Sequence, residues 1–251
     1  ICTLAAGSVW IKTKSIPLRA FVTGGAGIGK SVLIRALYQA LDRFLSSKEG
    51  QNPENCRILL CAYTGKAAYN IDGVTIHHAF RLEPNKKMIH RPLASSILNT
   101  LRMKYEHLSV LIIEEVSPIG NKLFNVINLR LQEIKGNHLP FGGIHVLLIG
   151  DLYQLRPVLD DWIFQDLSHD YGPLATNLWK EYFTMYELQE IMRQKDDHDF
   201  AQLLNRLREG NHTDRDICML QTCILNSTSD YPGTATHLFP TNAMVNEYND
   251  K

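Results

Sequence analysis

A glycine-rich segment between an apolar stretch and an amphipathic stretch constrains the fold more than any other feature of this sequence. Residues 24–31 are GGAGIGKS, which matches G-x-x-x-x-G-K-[ST], a pattern in which backbone N–H groups surround nucleotide phosphates. The preceding LRAFVT, residues 18–23, is apolar enough for a strand, and an amphipathic helix is predicted over residues 31–45. The order of strand, loop and helix favours a phosphate-binding loop, and a turn without function is the alternative. The apolar face expected for the helix comprises Val32, Leu33, Ala36, Leu37, Ala40, Leu41 and Phe44.

The rest of the chain alternates between apolar and amphipathic stretches. Strands are predicted at 57–62, 109–113 and 144–150, with the helix NKLFNVINLRLQEI between the last two. Such alternation indicates an α/β fold with a parallel sheet covered by helices on both faces, and ligands are expected at the carboxyl ends of its strands. After Pro157 the pattern is more polar, and it resumes with FTMYEL, the helix DFAQLLNRLREG and the strand THLFP.

Composition restricts the compartment and the partners. The formal net charge is zero, so nucleic-acid binding requires a local basic groove rather than a basic surface overall. No apolar run approaches the ~20 residues that cross a bilayer, which argues against a membrane partner. Five cysteines and no secretory leader predict an intracellular protein that is not secreted. Two C-x4-C spacings, Cys56 with Cys61 and Cys218 with Cys223, are expected to be buried thiols, with zinc binding as the alternative.

Acidic and amide side chains follow two of the predicted strands. Glu114 and Glu115 come directly after residues 109–113, and Gln154 lies in GDLYQLRPV after the strand at 144–150. In a phosphate-binding site Ser31 and an acidic residue hold Mg²⁺, Lys30 attracts the β and γ phosphates, and a second acid activates water. Glu114 would hold the metal and Glu115 would act as the base, unless the pair is only a solvated strand end.

Six segments occur in the order seen in a known family. They are PLRAFVTGGAGIGKSVLIRAL, YTGKAAYNIDGVTIHHAF, LIIEEVS, FGGIHVLLIGDLYQLRPV, LQEIMRQKDDHDFAQLLNRLREGNHT and THLFPTNAMVNEYN. Together they resemble the petite-integration-frequency (PIF) family of DNA helicases, relatives of bacterial RecD in helicase superfamily 1B. The same wider family includes the helicase-like elements of Helitron transposons. The resemblance runs over nearly the whole chain.

The resemblance implies an enzyme that hydrolyses ATP with Mg²⁺, moves 5′ to 3′ along single-stranded DNA and unwinds duplexes. Its ATP-binding residues would be Gly24, Gly25, Ala26, Gly27, Ile28, Gly29, Lys30 and Ser31. Ser31 and Glu114 would hold the metal, and catalysis would use Lys30, Glu115, Gln154 as γ-phosphate sensor and Arg193 as arginine finger. DNA contacts would come from Thr64, Gly65, Lys66, His77, Thr241 and Asn242.

Several of these assignments have structural alternatives. Residues 64–66 could form only a strand-to-helix turn, although N–H groups and a lysine suit a phosphate contact. His77 could be structural, and Arg193 could be a surface ion-pair partner. Phe80 could stack on a base, but a core aromatic is favoured.

The resemblance also implies a division into domains. Residues 1–185 would form a RecA-like ATP-binding domain and residues 186–251 the start of a second one, with a monomer expected. The sequence ends before anything similar to the family's motifs V and VI, so a partial motor is expected. The alternative is a nucleotide-binding module without helicase activity; a small-molecule kinase lacks an acceptor motif. A eukaryotic member would be nuclear or mitochondrial.

Overall fold

The computed structural model describes residues 16–25, 27–47, 52, 54–83, 89–167, 176–188, 198–224 and 235–250. Its strands are β1 (Arg19–Thr23), β2 (Ile58–Ala62), β3 (Val74–Thr75), β4 (Val110–Glu114), β5 (His145–Gly150) and β6 (Thr184–Glu187). Its helices are α1 (Lys30–Ser46), α2 (Gly65–Asn70), α3 (Ile76–Phe80), α4 (Ser95–Lys104), α5 (Asn121–Lys135), α6 (Leu178–Tyr182), α7 (His198–Glu209), α8 (Asp214–Gln221) and α9 (Asn242–Asn249), with a 3₁₀-helix at Pro140–Gly143.

Six strands of the described residues form one parallel sheet in the order β3-β2-β4-β5-β1-β6. Successive residues of a strand face opposite sides, and here both sides are apolar. Ile113 packs into a core cluster with Phe124 of α5, whereas Ile112 packs into a second cluster with Ile34 of α1. The predicted α/β fold, with helices on both faces of a parallel sheet, is confirmed.

Two glycines in the left-handed region shape the loop that leads from β1 into α1. Gly27 has φ 79° and Gly29, the residue before the helix, has φ 85°. A side chain at either position would strain the backbone, because L-residues rarely adopt these angles. The helix therefore begins at Lys30, directly after the glycines, at the carboxyl end of a central strand.

The predicted face of α1 was centred incorrectly. Ile34 is fully buried, whereas Val32 is 68% exposed. The residues that pack beside Ile34 are Leu33, Leu37, Leu41 and Leu45. The spacing predicts a helix, but the direction in which the loop delivers it to the sheet decides which stripe is covered.

Other expectations differ from the structure towards the C-terminal part. The predicted strand THLFP has no strand partner among the described residues, and its Leu238 is 91% exposed. β6 pairs with β1 through Glu187, so the sheet extends two residues past the predicted boundary at 185. Cys61 is buried as expected, but Cys218 and Cys223 are exposed. Among the helices of the described residues, none combines the length and the apolar character needed to cross a membrane.

Candidate active site

The lysine of the glycine-rich loop folds back into that loop. Lys30 Nζ donates hydrogen bonds to the carbonyl oxygens of Gly24 and Gly25, both at 2.8 Å. These contacts keep the ammonium group within the turn between β1 and α1. The cation is therefore held where the sequence pattern expects phosphate oxygens. Ala26, also predicted to bind ATP, lies outside the described residues.

Ser31 and Glu114 are brought together from opposite sides of β5. Ser31 Oγ donates to Glu114 Oε1 at 2.8 Å, although the residues are 83 positions apart in the sequence. Burial raises the pKa of the Glu114 carboxyl; the Ser31 hydrogen bond opposes this shift and the nearby Glu115 adds to it. Glu114 Oε2 is buried and has no hydrogen-bond partner among the described residues.

These two side chains suit a divalent cation. A hydroxyl oxygen and carboxylate oxygens are hard ligands, and Mg²⁺ is usually bound by one or two carboxylates together with substrate phosphates and water. A positive ion beside Glu114 would also satisfy its unpartnered oxygen and favour its ionised form. Groups of three or more His, Cys, Asp or Glu side chains with metal-binding geometry are absent from the described part of the chain.

Glu115 lies next to a residue from the predicted DNA-binding set. Its backbone is in the left-handed region, with φ 57°, immediately after β4. Thr64 Oγ1 donates a hydrogen bond to Glu115 Oε2 at 2.7 Å and accepts one from Ala67 N at 3.2 Å, which caps α2. Thr64 therefore does form a strand-to-helix turn, and the same hydroxyl contacts the predicted base. Sequence reasoning did not connect these two residues.

Other predicted DNA contacts lie at the same edge of the sheet. Ala62 and Thr75 are paired across β2 and β3, and Thr64 and His77 each follow by two residues. The His77 ring contacts Tyr63 edge-on, with centroids 5.7 Å apart. Burial lowers the pKa of His77, which favours its neutral form near pH 7.

The remaining members of that set are exposed. Gly65 and Lys66 form the first turn of α2, and Lys66 Nζ lies 5.9 Å from the Tyr69 ring centroid. Thr241 and Asn242 begin α9, where the Thr241 hydroxyl accepts a hydrogen bond from Met244 N. Phe80 is fully buried in the core, so the possibility that it stacks on a base was wrong.

The predicted γ-phosphate sensor lies on an exposed turn after β5. Gln154 is exposed beside an open cleft of about 800 Å³ that Tyr153, Leu155, Arg156 and Trp162 also line. Arg193, the predicted arginine finger, lies outside the described residues.

Asp151, on the same turn as Gln154, was not predicted as a functional residue. It is buried and forms a bidentate pair with Arg208 of α7, with N–O distances of 2.6 and 2.8 Å. This pair raises the pKa of the Arg208 guanidinium, chiefly through its hydrogen bonds to Asp151. The GD dipeptide after an apolar strand was a signal for Asp151, but nothing local indicates Arg208 as its partner.

Comparison with known proteins identifies relatives of this chain. The family model described as PIF1-like helicase matches residues 8–217. The ATP-dependent DNA helicase PIF1 of Candida albicans is 33% identical over 210 residues, which are 80% of this chain and 22% of that protein. The protein of the same name from Emericella nidulans is 32% identical over 232 residues, 91% of this chain and 30% of that protein.

Solved structures agree with the sequence relatives. The crystal structure of Candida albicans Pif1 helicase superposes with a TM-score of 0.73 at 28% identity and covers 98% of this chain and 52% of that one. A Bacteroides Pif1 helicase in complex with ADP-AlF3 and single-stranded DNA has a TM-score of 0.69 at 24% identity, which shows the same fold. The chain thus spans about half of the crystallised proteins and less than a third of these two curated relatives.

Proposed function

Because this chain belongs to the PIF1-like helicase family, we propose that it is the ATP-binding part of a DNA helicase that moves 5′ to 3′ along single-stranded DNA. One observation carries the proposal. The hydroxyl of Ser31, directly after Lys30 of the glycine-rich loop, is hydrogen-bonded to Glu114 at 2.8 Å, and Glu115 follows at the same strand end. The glycine-rich loop and the two acids proposed for hydrolysis therefore share one edge of the sheet, which supports the proposal.

Each residue of this edge has a role in the proposed reaction. The loop N–H groups and Lys30 bind the β and γ phosphates, Gln154 positions the attacking water, and Glu115 accepts its proton. Ser31 and Glu114 would hold Mg²⁺, which would supply positive charge to the phosphate oxygens. Glu114 replaces the aspartate usual in the family, so its carboxylate extends one methylene further.

DNA binding is proposed at the edge formed by Thr64, Gly65, Lys66 and His77. Support comes from the Bacteroides relative, which was crystallised with single-stranded DNA, and from the exposed Lys66 beside backbone N–H groups. Thr64 contacts Glu115, so this edge is joined to the proposed base by one hydrogen bond. That bond offers a physical route by which DNA affects hydrolysis.

The proposed second domain completes the active site. We place it after β6, which ends at Glu187, with Arg193 as arginine finger and Thr241 and Asn242 as further DNA contacts. An arginine finger accelerates phosphoryl transfer by roughly 10³ to 10⁵. In the family's longer chains, motifs V and VI would lie in the part that this chain does not cover. The motor is proposed to act as a monomer.

The first test measures ATP hydrolysis with and without an oligo-dT strand. We expect oligo-dT to stimulate turnover and Lys30→Ala to abolish it, because the loop then lacks its cation. Binding of nucleotide without turnover in either condition would favour the alternative, a nucleotide-binding module without motor activity. Equal turnover by the Lys30→Ala variant would contradict the proposal.

The DNA-binding edge is tested with two matched lysines. Lys66 and Lys104 are both exposed, and their ammonium groups lie 5.9 and 5.5 Å from the centroids of neighbouring tyrosine rings. Lys104 ends α4, whereas Lys66 lies in the first turn of α2, two residues after Thr64. We expect Lys66→Ala to weaken binding of a fluorescent oligo-dT strand and Lys104→Ala to leave it unchanged. Equal effects of the two substitutions would contradict a DNA contact at Lys66.

A further inference from the structure

Helix α7 is fixed to the sheet by a buried ion pair. Arg208 Nε and a terminal nitrogen of its guanidinium donate to the two carboxylate oxygens of Asp151, at 2.6 and 2.8 Å. The Asp151 side chain has no exposed surface and the Arg208 side chain is 16% exposed. Removing one partner would leave the other charge buried and unpaired, which is costly. The contact therefore strongly restrains both α7 and the turn that bears Asp151.

That turn also bears Gln154. Asp151 Oδ1 accepts a hydrogen bond from Tyr153 N at 3.1 Å, and the Asp151 carbonyl accepts one from Gln154 N at 3.0 Å. The Arg208 guanidinium lies over the Tyr153 ring, 4.7 Å from its centroid. One arginine thus contacts two of the three residues that precede Gln154.

The same helix approaches the phosphate-binding loop. A Cβ atom added to Gly25 would lie 3.0 Å from Asn205 Oδ1 and 3.8 Å from Cδ and Nε of Arg208. The absence of a side chain at Gly25 leaves room for this approach. Arg208 is therefore in contact with the turn of Gln154 and adjacent to the loop that holds Lys30.

We propose that Arg208 is a positioning residue, which holds Gln154 so that the site distinguishes a nucleoside triphosphate from a diphosphate. This inference rests on the proposed function, since it assumes ATP in the loop and Gln154 at the terminal phosphate. Among the described residues Arg208 donates its hydrogen bonds to Asp151 and Glu209 and not to the loop, so diphosphate binding is expected not to depend on it. Triphosphate binding does, because a released turn no longer presents Gln154 in one place.

The test compares the affinities for ADP and for a non-hydrolysable ATP analogue, both with Mg²⁺, by calorimetry. We expect Arg208→Ala to lower the preference for the triphosphate about tenfold, the scale of one charged hydrogen bond, while ADP affinity changes less than about twofold. Arg208→Lys keeps the charge but loses the two-pronged contact, and should fall between. Asp151→Asn keeps the volume and should lose the preference as well, which provides a second variant if Arg208→Ala does not fold.

Arg206 provides a matched control on the same helix. It forms a bidentate ion pair with Asp216 of α8, with N–O distances of 2.8 and 2.6 Å that are similar to those between Arg208 and Asp151. This ion pair includes neither Asp151 nor the glycine-rich loop. Arg206→Ala should leave the triphosphate preference unchanged. An equal loss in Arg206→Ala would overturn the proposal, because it would reflect a general loosening of α7.

Two further outcomes separate the inference from the proposed function. An unchanged preference in folded Arg208→Ala and Asp151→Asn, or a parallel loss of ADP and ATP-analogue affinity, overturns the positioning role but leaves ATP binding standing. Failure of the unmodified chain to bind either nucleotide contradicts the proposed function, and the inference falls with it.

Discussion

At the scale of single residues, the hydroxyl of Thr64 combines two tasks. It caps α2 by accepting a hydrogen bond from Ala67 N, and it donates to Glu115 at 2.7 Å. Glu115 follows β4 in the left-handed region, and the Thr64 hydroxyl holds one oxygen of its carboxylate. A ligand that competes for the Thr64 hydroxyl would therefore change the environment of the proposed base.

Replacing Thr64 with valine tests this dual role. Valine keeps the branched shape but removes the hydroxyl, so α2 should lose about 1 kcal/mol of stability from the missing cap. The stimulation of ATP turnover by oligo-dT should fall, because DNA and Glu115 no longer share the hydroxyl. Denaturant unfolding and hydrolysis assays measure the two effects. Thr64→Ser retains the hydroxyl and should keep both properties; full stimulation in the valine variant would contradict the coupling.

At the scale of secondary-structure elements, α7 and α8 are joined by a network around Asp216. Arg206 of α7 donates two hydrogen bonds to the buried Asp216 carboxylate, which also accepts from the backbone and hydroxyl of Thr213. Thr213 in turn caps α8, which completes a capping box. The pKa of Asp216 lies well below its usual value. The hydrogen bonds from Arg206 are the largest cause of this shift, and the hydrogen bond from the Thr213 backbone is the second.

This network predicts a pH dependence of stability. Because the pKa of Asp216 is lower in the folded chain than in the unfolded chain, ionised Asp216 stabilises the fold at pH values above 3.8, the ordinary aspartate pKa. This contribution is lost as the pH falls from 3.8 towards the lower pKa of the folded state. Arg206→Ala should lower the free energy of unfolding at pH 7. In this variant the free energy of unfolding should also decrease less between about pH 4 and pH 2 than it does in the unmodified chain. Urea unfolding at several pH values measures the difference.

The exposed pair of Lys180 and Asp166 serves as the control for that experiment. Its side chains are 60% and 71% exposed, so solvent screens the attraction. Lys180→Ala should change stability much less at pH 7. Parallel pH curves for the unmodified chain and Arg206→Ala would contradict the prediction.

At the scale of the whole molecule, the residues that stabilise the sheet lie apart from the residues proposed for binding and catalysis. Its two faces are covered by apolar clusters, whereas Lys30, Glu114, Thr64 and Asp151 all lie at or just beyond the carboxyl ends of strands. Among the described residues, the buried Oε2 atom of Glu114 at that edge has no hydrogen-bond partner. A ligand that supplies this partner should stabilise the entire fold.

Nucleotide binding should therefore be visible as thermal stabilisation. MgATP at a hundred times its Kd should raise the free energy of unfolding by about 2.7 kcal/mol, as linkage requires for a ligand of the folded state alone. Lys30→Ala should lose this gain, whereas Lys104→Ala, at an exposed site on α4, should retain it. Scanning calorimetry with and without MgATP measures the shift. An equal shift in the Lys30→Ala variant would mean that ATP binds elsewhere.

Much of the fold was predictable because its signals are local. Strands β1, β2, β4 and β5 lie within one residue of their predicted bounds, since each is a short apolar run next to a polar turn. The strand predicted at THLFP is absent from the described residues, because a strand exists only where a neighbour pairs with it. The short helices α2, α3 and α4 were not predicted, since five to ten residues carry little periodicity.

The sequence by itself determined the phosphate-binding loop, the parallel α/β architecture and the acids at a strand end. These follow from residue type and spacing within a few turns of chain, where covalent connection already brings the groups together. Tertiary structure alone decided that Ser31 contacts Glu114, that Thr64 contacts Glu115 and that Arg208 contacts Asp151. Each pair joins residues 51 to 83 positions apart. The order of strands in the sheet sets the first two contacts, and the packing of α7 against the turn after β5 sets the third.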